Sequence, residues 1–442
     1  MIWLKTFLKG KKLQKHVLQA LPFWIASFIT GVIAVLYTKL FEWAEHWGAF
    51  LFKAHTWLIF LLTPVAFVLA WLLVKQVDIY AKGSGIPQVM AAIDLTTPED
   101  DHHVKRLLNM RLMLVKITSS LLMIFGGGAI GREGPTIQIA GTIFRKIDEW
   151  LPVSWPKISK KNMILTGAAA GLAAAFNTPL GGIVFAVEEL AKTHISSFKT
   201  AIFTAVIIAG LTAQAFLGPY LYLGYPVIGK SSVYMLVAVV PVAILAGLGG
   251  SLMGLAILKI LNWKEKLNSN PAELIYVVFC GLVIATIAYF VNDTILGSGK
   301  AEMSRLLFTA DKHTGWQIPV ARILGPVLSF TTGASGGIFA PSLGAGATIG
   351  SFIAGLFNLS ASNTNLLILS GMVAFLTGVT RSPFTSAILV LEMTDRHNVI
   401  FFLMLAGIAA SLVSSLVSKH SLYEHLKIQY ILKLQKTDEV TS

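Results

Sequence analysis

The stretch LAAAFNTPLGGIVFAVEEL at residues 172–190 returns in altered form as LTGVTRSPFTSAILVLEMT at 376–394. Pro179 falls opposite Pro383 and Glu188 opposite Glu392, an offset of 204 residues. A second pair, Gly131-Arg132-Glu133-Gly134-Pro135 and Gly337-Ile338-Phe339-Ala340-Pro341, shares the pattern GxxxP at an offset of 206. Two separate blocks that keep nearly one offset mark an internal duplication. Both copies carry turn chemistry inside apolar sequence: Asn177-Thr178-Pro179 in one, Gly336-Gly337 ahead of Pro341 in the other. Interrupted hydrophobic segments at matching positions of two halves point to a secondary transporter, its repeats often inverted and its substrate held between them.

Outward from these blocks the chain is apolar almost throughout. Of 442 residues, 55% are hydrophobic and only 13% charged. A soluble domain carries about 25% charged residues, so several soluble domains could not be covered, and disorder is excluded by the same numbers. A disulfide scaffold is excluded because Cys280 is the only cysteine. Uncharged runs recur at 17–38, 54–74, 162–187, 200–229, 231–258, 274–292, 323–380 and 397–418. A helix crossing the hydrocarbon needs about 20 apolar residues, so 323–380 must hold more than one. The fold class expected is an all-α polytopic membrane protein of tilted and broken helices.

The net charge of +13 reads as membrane topology and not as a nucleic-acid surface. Lys5, Lys9, Lys11, Lys12 and Lys15 precede the first apolar run, which places the amino terminus in the cytoplasm. Val17 to Thr38 is too long for a signal-peptide core and no small-residue cleavage site follows it closely, so it is read as a retained span. The organisation expected is a basic segment over 1–16, a first repeat over 17–220, a second over 221–418, and a carboxyl-terminal segment over 419–442. Both termini are expected in the cytoplasm and the lipid bilayer is the surroundings.

Three glycine-rich breaks stand out: Gly83-Ser84-Gly85-Ile86-Pro87, Gly131-Arg132-Glu133-Gly134-Pro135 and Gly337-Ile338-Phe339-Ala340-Pro341. Each proline suits the first turn of a new helix, where its missing N–H is not needed. Such a start presents free N–H groups and a partial positive charge, which together favour an anion. Irregular backbone at membrane depth survives only where protein or a water-filled cavity satisfies it, so three converging starts predict a buried anion site.

Ionisable residues inside apolar runs are functional candidates by default. Glu133 sits within a break, either as an anion in an anion site or as a plain cap paired with Arg132. Glu188 and Glu189 close the run 162–187, as proton relays or as marks of the membrane surface. Glu392 reads as a structural carboxylate. Lys116, in RLMLVKITSSLLMIF, needs a buried partner or must snorkel to the interface.

In this order, GSGIP at 83–87, GREGP at 131–135 and GGIFAP at 336–341 resemble the three selectivity-filter motifs of the CLC family of chloride channels and chloride/proton antiporters. LYEHL around Tyr423 resembles the family's fourth element, and the similarity runs from about residue 20 to 430. The resemblance implies a homodimer of two-repeat inverted bundles, one pore per subunit, in a bacterial plasma membrane. Chloride would be held by the hydroxyls of Ser84 and Tyr423 and the backbone amides of Ile338 and Phe339. Glu133 would be the gate, occupying an anion site when ionised and leaving it when protonated. Glu189 would be the inner proton-transfer glutamate of the exchanger branch. The pore serine favours chloride over nitrate, and serine with tyrosine disfavours the fluoride-exporting branch. No cofactor is implied; the transported ions are chloride, other small anions and protons.

The sequence departs from the family pattern where Gln88 and Met90 stand in place of frequent acids, which removes the usual acidic neighbour of Lys116. The 19 residues after Tyr423 leave no room there for a CBS pair. A passive chloride channel of the same family is the first alternative, disfavoured by Glu189. An intramembrane enzyme is remote, because there is no HExxH, no GxSxG and no metal-like His/Cys spacing; GSGK at 297–300 is not a P-loop, since position 294 is Thr. Asp101-His102-His103 is expected in a solvated polar loop.

Overall fold

The computed structural model describes residues 11–191, 199–218, 221–229, 233–267 and 269–441. The basic segment over 1–10, with Lys5 and Lys9, and the repeat boundary at 220 lie outside the described residues. The first half contains α1 (Lys11–Ala54), α2 (Ile59–Val77), α3 (Ile86–Asp94), α4 (Asp101–Leu107), α5 (Met110–Phe125) and α6 (Glu133–Trp150). It continues through α7 (Lys160–Phe176), α8 (Pro179–Phe185, prolonged by a π-helical turn to Ala191) and α9 (Lys199–Leu217). The second half contains α10 (Met235–Lys264), α11 (Asn270–Phe290), α12 (Lys300–Phe308), α13 (Gln317–Thr331), α14 (Phe339–Leu356) and α15 (Ala361–Thr380). α16 (Pro383–Thr394), α17 (Ile400–Val417) and α18 (Leu422–Thr441) complete it. The architecture is all-α, two inverted-topology repeats of tilted and broken helices.

The duplication is visible in the backbone as well as in the letters. α7 ends on Asn177 at φ 56° and α15 on Arg381 at φ 65°, both left-handed, both two residues before the proline that starts the next helix. A left-handed cap followed by proline stops one helix and begins another at a new angle. α8 and α16, the two helices so started, pack against each other.

α1 is longer than the sequence suggests. It continues past Thr38 to Ala54, 44 residues in all, about 66 Å at ~1.5 Å per residue against a hydrocarbon of about 30 Å. No glycine–proline break interrupts it after Thr38, and its two glutamates have partners: Glu42 with Arg132 and Lys300, Glu45 with Ser298.

Burial sorts the spans. The most apolar stretch of α15 is 94% buried and that of α14 83%, whereas α11 and α17 bury 28% and 33%. α14 and α15 meet through small residues, Gly346 and Gly350 against the backbone of Gly371 and Leu367, the close packing that replaces hydrophobic drive in lipid. They form the centre, and α11 and α17 face outward. Asp101-His102-His103 is not in a solvated loop. It forms the start of α4, because Val104, Leu107 and Leu108 are fully buried and draw that turn onto the core; His103 is 2% exposed.

Candidate functional site

The three glycine-rich breaks come together. Gly83 N donates to Ala334 O at 2.9 Å and Gly336 N to Gly83 O at 3.1 Å, while Gly131 and Gly337 exchange both backbone bonds at 2.7 Å. The non-helical backbone of each break is thus satisfied by another break, which is what allows it at this depth. Lys116 completes the junction. Its side chain is fully buried, so it does not snorkel, and Nζ donates to Gly83 O at 2.9 Å. Its partner is a carbonyl of the first motif, which sequence spacing alone does not reveal.

From this junction α3, α6 and α14 start. Ile338 and Phe339, both buried, stand at the head of α14, whose first N–H groups have no partner inside the helix. The Ser84 and Tyr423 hydroxyls are buried and face each other, and neither makes a well-formed hydrogen bond among the described residues. A buried hydroxyl left in that condition costs about 1–3 kcal/mol, so two at one place mark a ligand position. The Tyr423 ring is held by stacking on Phe339, centroids 6.0 Å apart and planes 11° from parallel. Gly134 is required here, because a methyl group at that position would collide with Ser84 Oγ. All the groups at this place can donate hydrogen bonds, the chemistry an anion needs.

Glu133 is the first residue of α6 and 1% exposed. Its carboxylate lies against its own backbone amide and that of Ala340, the second residue of α14. Gly131 makes room for it, since a methyl group there would strike Glu133 Oε2. Arg132 directs Nη1 away, to Glu42 at 3.0 Å, and Lys300 Nζ reaches the same oxygen at 3.1 Å. Glu133 is therefore more than a cap paired with Arg132: it is a carboxylate seated at an amide of another helix, that of Ala340.

The neighbours Glu188 and Glu189 do different work. Glu188 accepts from Phe384 N at 3.1 Å, Thr385 N at 2.6 Å and Thr385 Oγ1 at 2.7 Å, and so caps α16. Glu189, in the π-helical turn, is 4% exposed and accepts from Ser382 Oγ. Glu392 accepts from Leu180 N and Gly181 N at 3.0 and 2.8 Å, the structural role expected of it. The Tyr423 hydroxyl lies within electrostatic reach of both Glu189 and Glu133.

Gln88 acquires a role the sequence did not suggest. Its buried amide donates to Lys82 O at 2.7 Å and Tyr430 Oη at 3.0 Å, with Tyr80 O at 3.1 Å. A glutamate could not donate to these carbonyls, so the departure at 88 ties α3 to α18. A cavity of about 250 Å³ opens beside Ser84, with Lys82, Lys264 and Lys433 on its wall.

The family profile described as "Voltage gated chloride channel" matches residues 65–415. The chain is similar to the "H(+)/Cl(-) exchange transporter ClcA" of Klebsiella pneumoniae subsp. pneumoniae, 27% identical with 94% of this chain and 89% of that one covered. A protein of the same name from Citrobacter koseri is 27% identical, with 92% and 88% covered. Among solved structures, a slow cyanobacterial Cl−/H+ antiporter superimposes with a TM-score of 0.81 at 23% identity, covering 94% of this chain and 98% of that one. A CLC-type fluoride/proton antiporter gives 0.74 at 18% identity, with 92% and 96% covered. The profile match takes in well over half of the sequence, and the chain belongs to the voltage gated chloride channel family, as a multi-pass membrane protein.

Proposed function

We propose that this chain exchanges chloride for protons across a membrane. The observation that carries the reading is the meeting of two buried hydroxyls without well-formed partners among the described residues, Ser84 and Tyr423, with a carboxylate, Glu133, seated against the Ala340 amide of α14. Chloride accepts from the two hydroxyls and from the amides of Ile338 and Phe339. Helix starts supply positive potential of roughly half a charge without a buried cation. Ionised, Glu133 competes for those amides as a tethered anion. Protonation removes its charge, it leaves, and chloride passes.

The proton then moves inward toward Glu189, which Ser382 orients. Chloride occupancy and Glu133 protonation favour each other, and that mutual dependence is the coupling. The names carried by the Klebsiella and cyanobacterial relatives support exchange over a passive pore. We assign the chain to a bacterial inner membrane, with both termini cytoplasmic and no cofactor. A homodimer is part of the same reading. α8 and α16 are too short to span a bilayer, and their outer residues Leu180 and Phe384 are half exposed beside the carboxylates of Glu392 and Glu188, a surface a second copy covers better than lipid.

The test is purified protein in liposomes under an imposed chloride gradient, with chloride and proton movement recorded together. Proton movement against its own gradient, driven by chloride, is expected. Chloride flux with no proton movement would make the protein a passive channel.

A further inference from the structure

α18 enters the anion site at Tyr423 and ends against a cluster that exchange does not use. Asp438 lies 15 residues after Tyr423, about 22 Å along the axis at ~1.5 Å per residue. Its Oδ2 is 2.9 Å from Nε2 of His102 and 2.9 Å from Nε2 of His103. The three atoms lie within 4.8 Å of one another, and the two rings lie with centroids 3.9 Å apart, their planes tilted by 39°. His103 is buried and His102 half exposed, so the cluster is anchored on one side and open on the other.

The hydrogen bonding asks for a cation at this point. His102 Nδ1 is 3.2 Å from Glu99 O, a carbonyl that can only accept. A neutral imidazole carries one N–H and can serve only one of its two acceptors here, Glu99 O or Asp438 Oδ2; with the proton on Nδ1, Nε2 turns its lone pair toward the carboxylate. Two lone-pair atoms at 2.9 Å repel unless positive charge lies between them. His103 brings a second ring nitrogen onto the same oxygen, and its own Nδ1 is buried without a hydrogen-bond partner among the described residues.

Two imidazole nitrogens and one carboxylate oxygen, with an open side, are the donor set of a borderline-soft divalent metal that keeps a solvent position. The Glu99 carbonyl behind His102 is the outer support such ligands commonly have. Arg106 Nη1 approaches the other oxygen of Asp438, Oδ1, at 3.6 Å, and Asp101 is bound by Lys160 and Lys105. Asp100 accepts from Thr97.

We propose that His102, His103 and Asp438 form a site for a divalent transition-metal ion of zinc-like chemistry, which pins the end of α18 to α4 and so restrains Tyr423. Gln88 holds α18 at Tyr430; beyond it, the ties of Lys427 to Asp94 at 2.8 Å and Lys433 to Glu265 are exposed ion pairs, individually weak. A three-ligand metal bridge is the dominant tether at the far end of the helix. Metal binding stands apart from the exchange reading; the effect on chloride movement rests on it.

The experiment titrates zinc sulfate into the full-length protein, purified in detergent after chelator treatment, with uptake followed by calorimetry. One ion per chain is expected. His102→Ala and Asp438→Asn each weaken it at least about tenfold, while Asp438→His retains it. Substituting buried His103 risks misfolding, so the exposed His102 and Asp438 variants decide, after their metal-free melting curves match the parent. No stoichiometric uptake, or uptake that both variants leave unchanged, overturns the site and assigns the bridging charge to a proton. In liposomes, zinc is expected to slow chloride flux in the parent and not in Asp438→Asn. Tight binding with unchanged flux overturns the restraint on Tyr423. If the protein moves no chloride at all, the exchange reading fails, and calorimetry alone still decides the site.

Discussion

Glu188 and Glu392 cap each other's helices across the two repeats. Glu188, just beyond α8, accepts the amides of Phe384 and Thr385 at the start of α16; Glu392, near the end of α16, accepts those of Leu180 and Gly181 at the start of α8. The duplicated sequence thus makes a reciprocal brace, each copy supplying the carboxylate that the other's orphan amides need. Replacing either residue by alanine is expected to cost about 1.5–3 kcal/mol, the range for hydrogen bonds to a charged group. The thermal midpoint of purified protein should fall in both variants while chloride flux per folded molecule is kept. An unchanged midpoint would show the brace to be ornamental.

The hydroxyls of Ser84 and Tyr423 should account for much of the anion affinity. Ser84→Ala and Tyr423→Phe each remove one donor and little volume, so chloride binding is expected to weaken about tenfold or more in each. Calorimetric titration with chloride measures this directly. Equal affinity in parent and variants would remove both hydroxyls from the site.

Gln88 donates to carbonyls that a glutamate cannot serve. Gln88→Glu, although it restores the residue frequent in the family, is expected to destabilise this chain by about 1–3 kcal/mol through unpaired buried carbonyls. The readout is the thermal midpoint, and a rise on substitution would contradict the assigned role.

Glu189→Gln keeps the size of the side chain and its bond to Ser382 but removes a titratable carboxylate. Chloride flux is expected to persist and chloride-driven proton movement to disappear. Coupling at the parental ratio would reduce Glu189 to a structural residue.

Local sequence was enough to locate the breaks, the duplication and the three helix starts, because glycine and proline act on the backbone where they stand. The left-handed caps at Asn177 and Arg381 follow from the same local chemistry. Side-chain partners at long range were another matter. Lys116 finds a carbonyl 33 residues away and His102 a carboxylate 336 residues away, separations at which spacing carries no information. The start of α4 reads as a solvated loop because its polar letters come first and its buried ones, Val104 and Leu107, come after. The uncharged run that marks the first span ends at Thr38, and the continuation of α1 to Ala54 depends on partners far along the chain: Arg132, Lys300 and Ser298, which meet Glu42 and Glu45.

The central claim is that Glu133 is a tethered anion whose protonation links the two fluxes. The most direct test compares parent and Glu133→Gln protein in liposomes under one chloride gradient, recording both ions. Chloride should drive protons uphill in the parent, and in Glu133→Gln chloride should still flow with proton movement abolished. Proton pumping that survives the substitution would contradict the account.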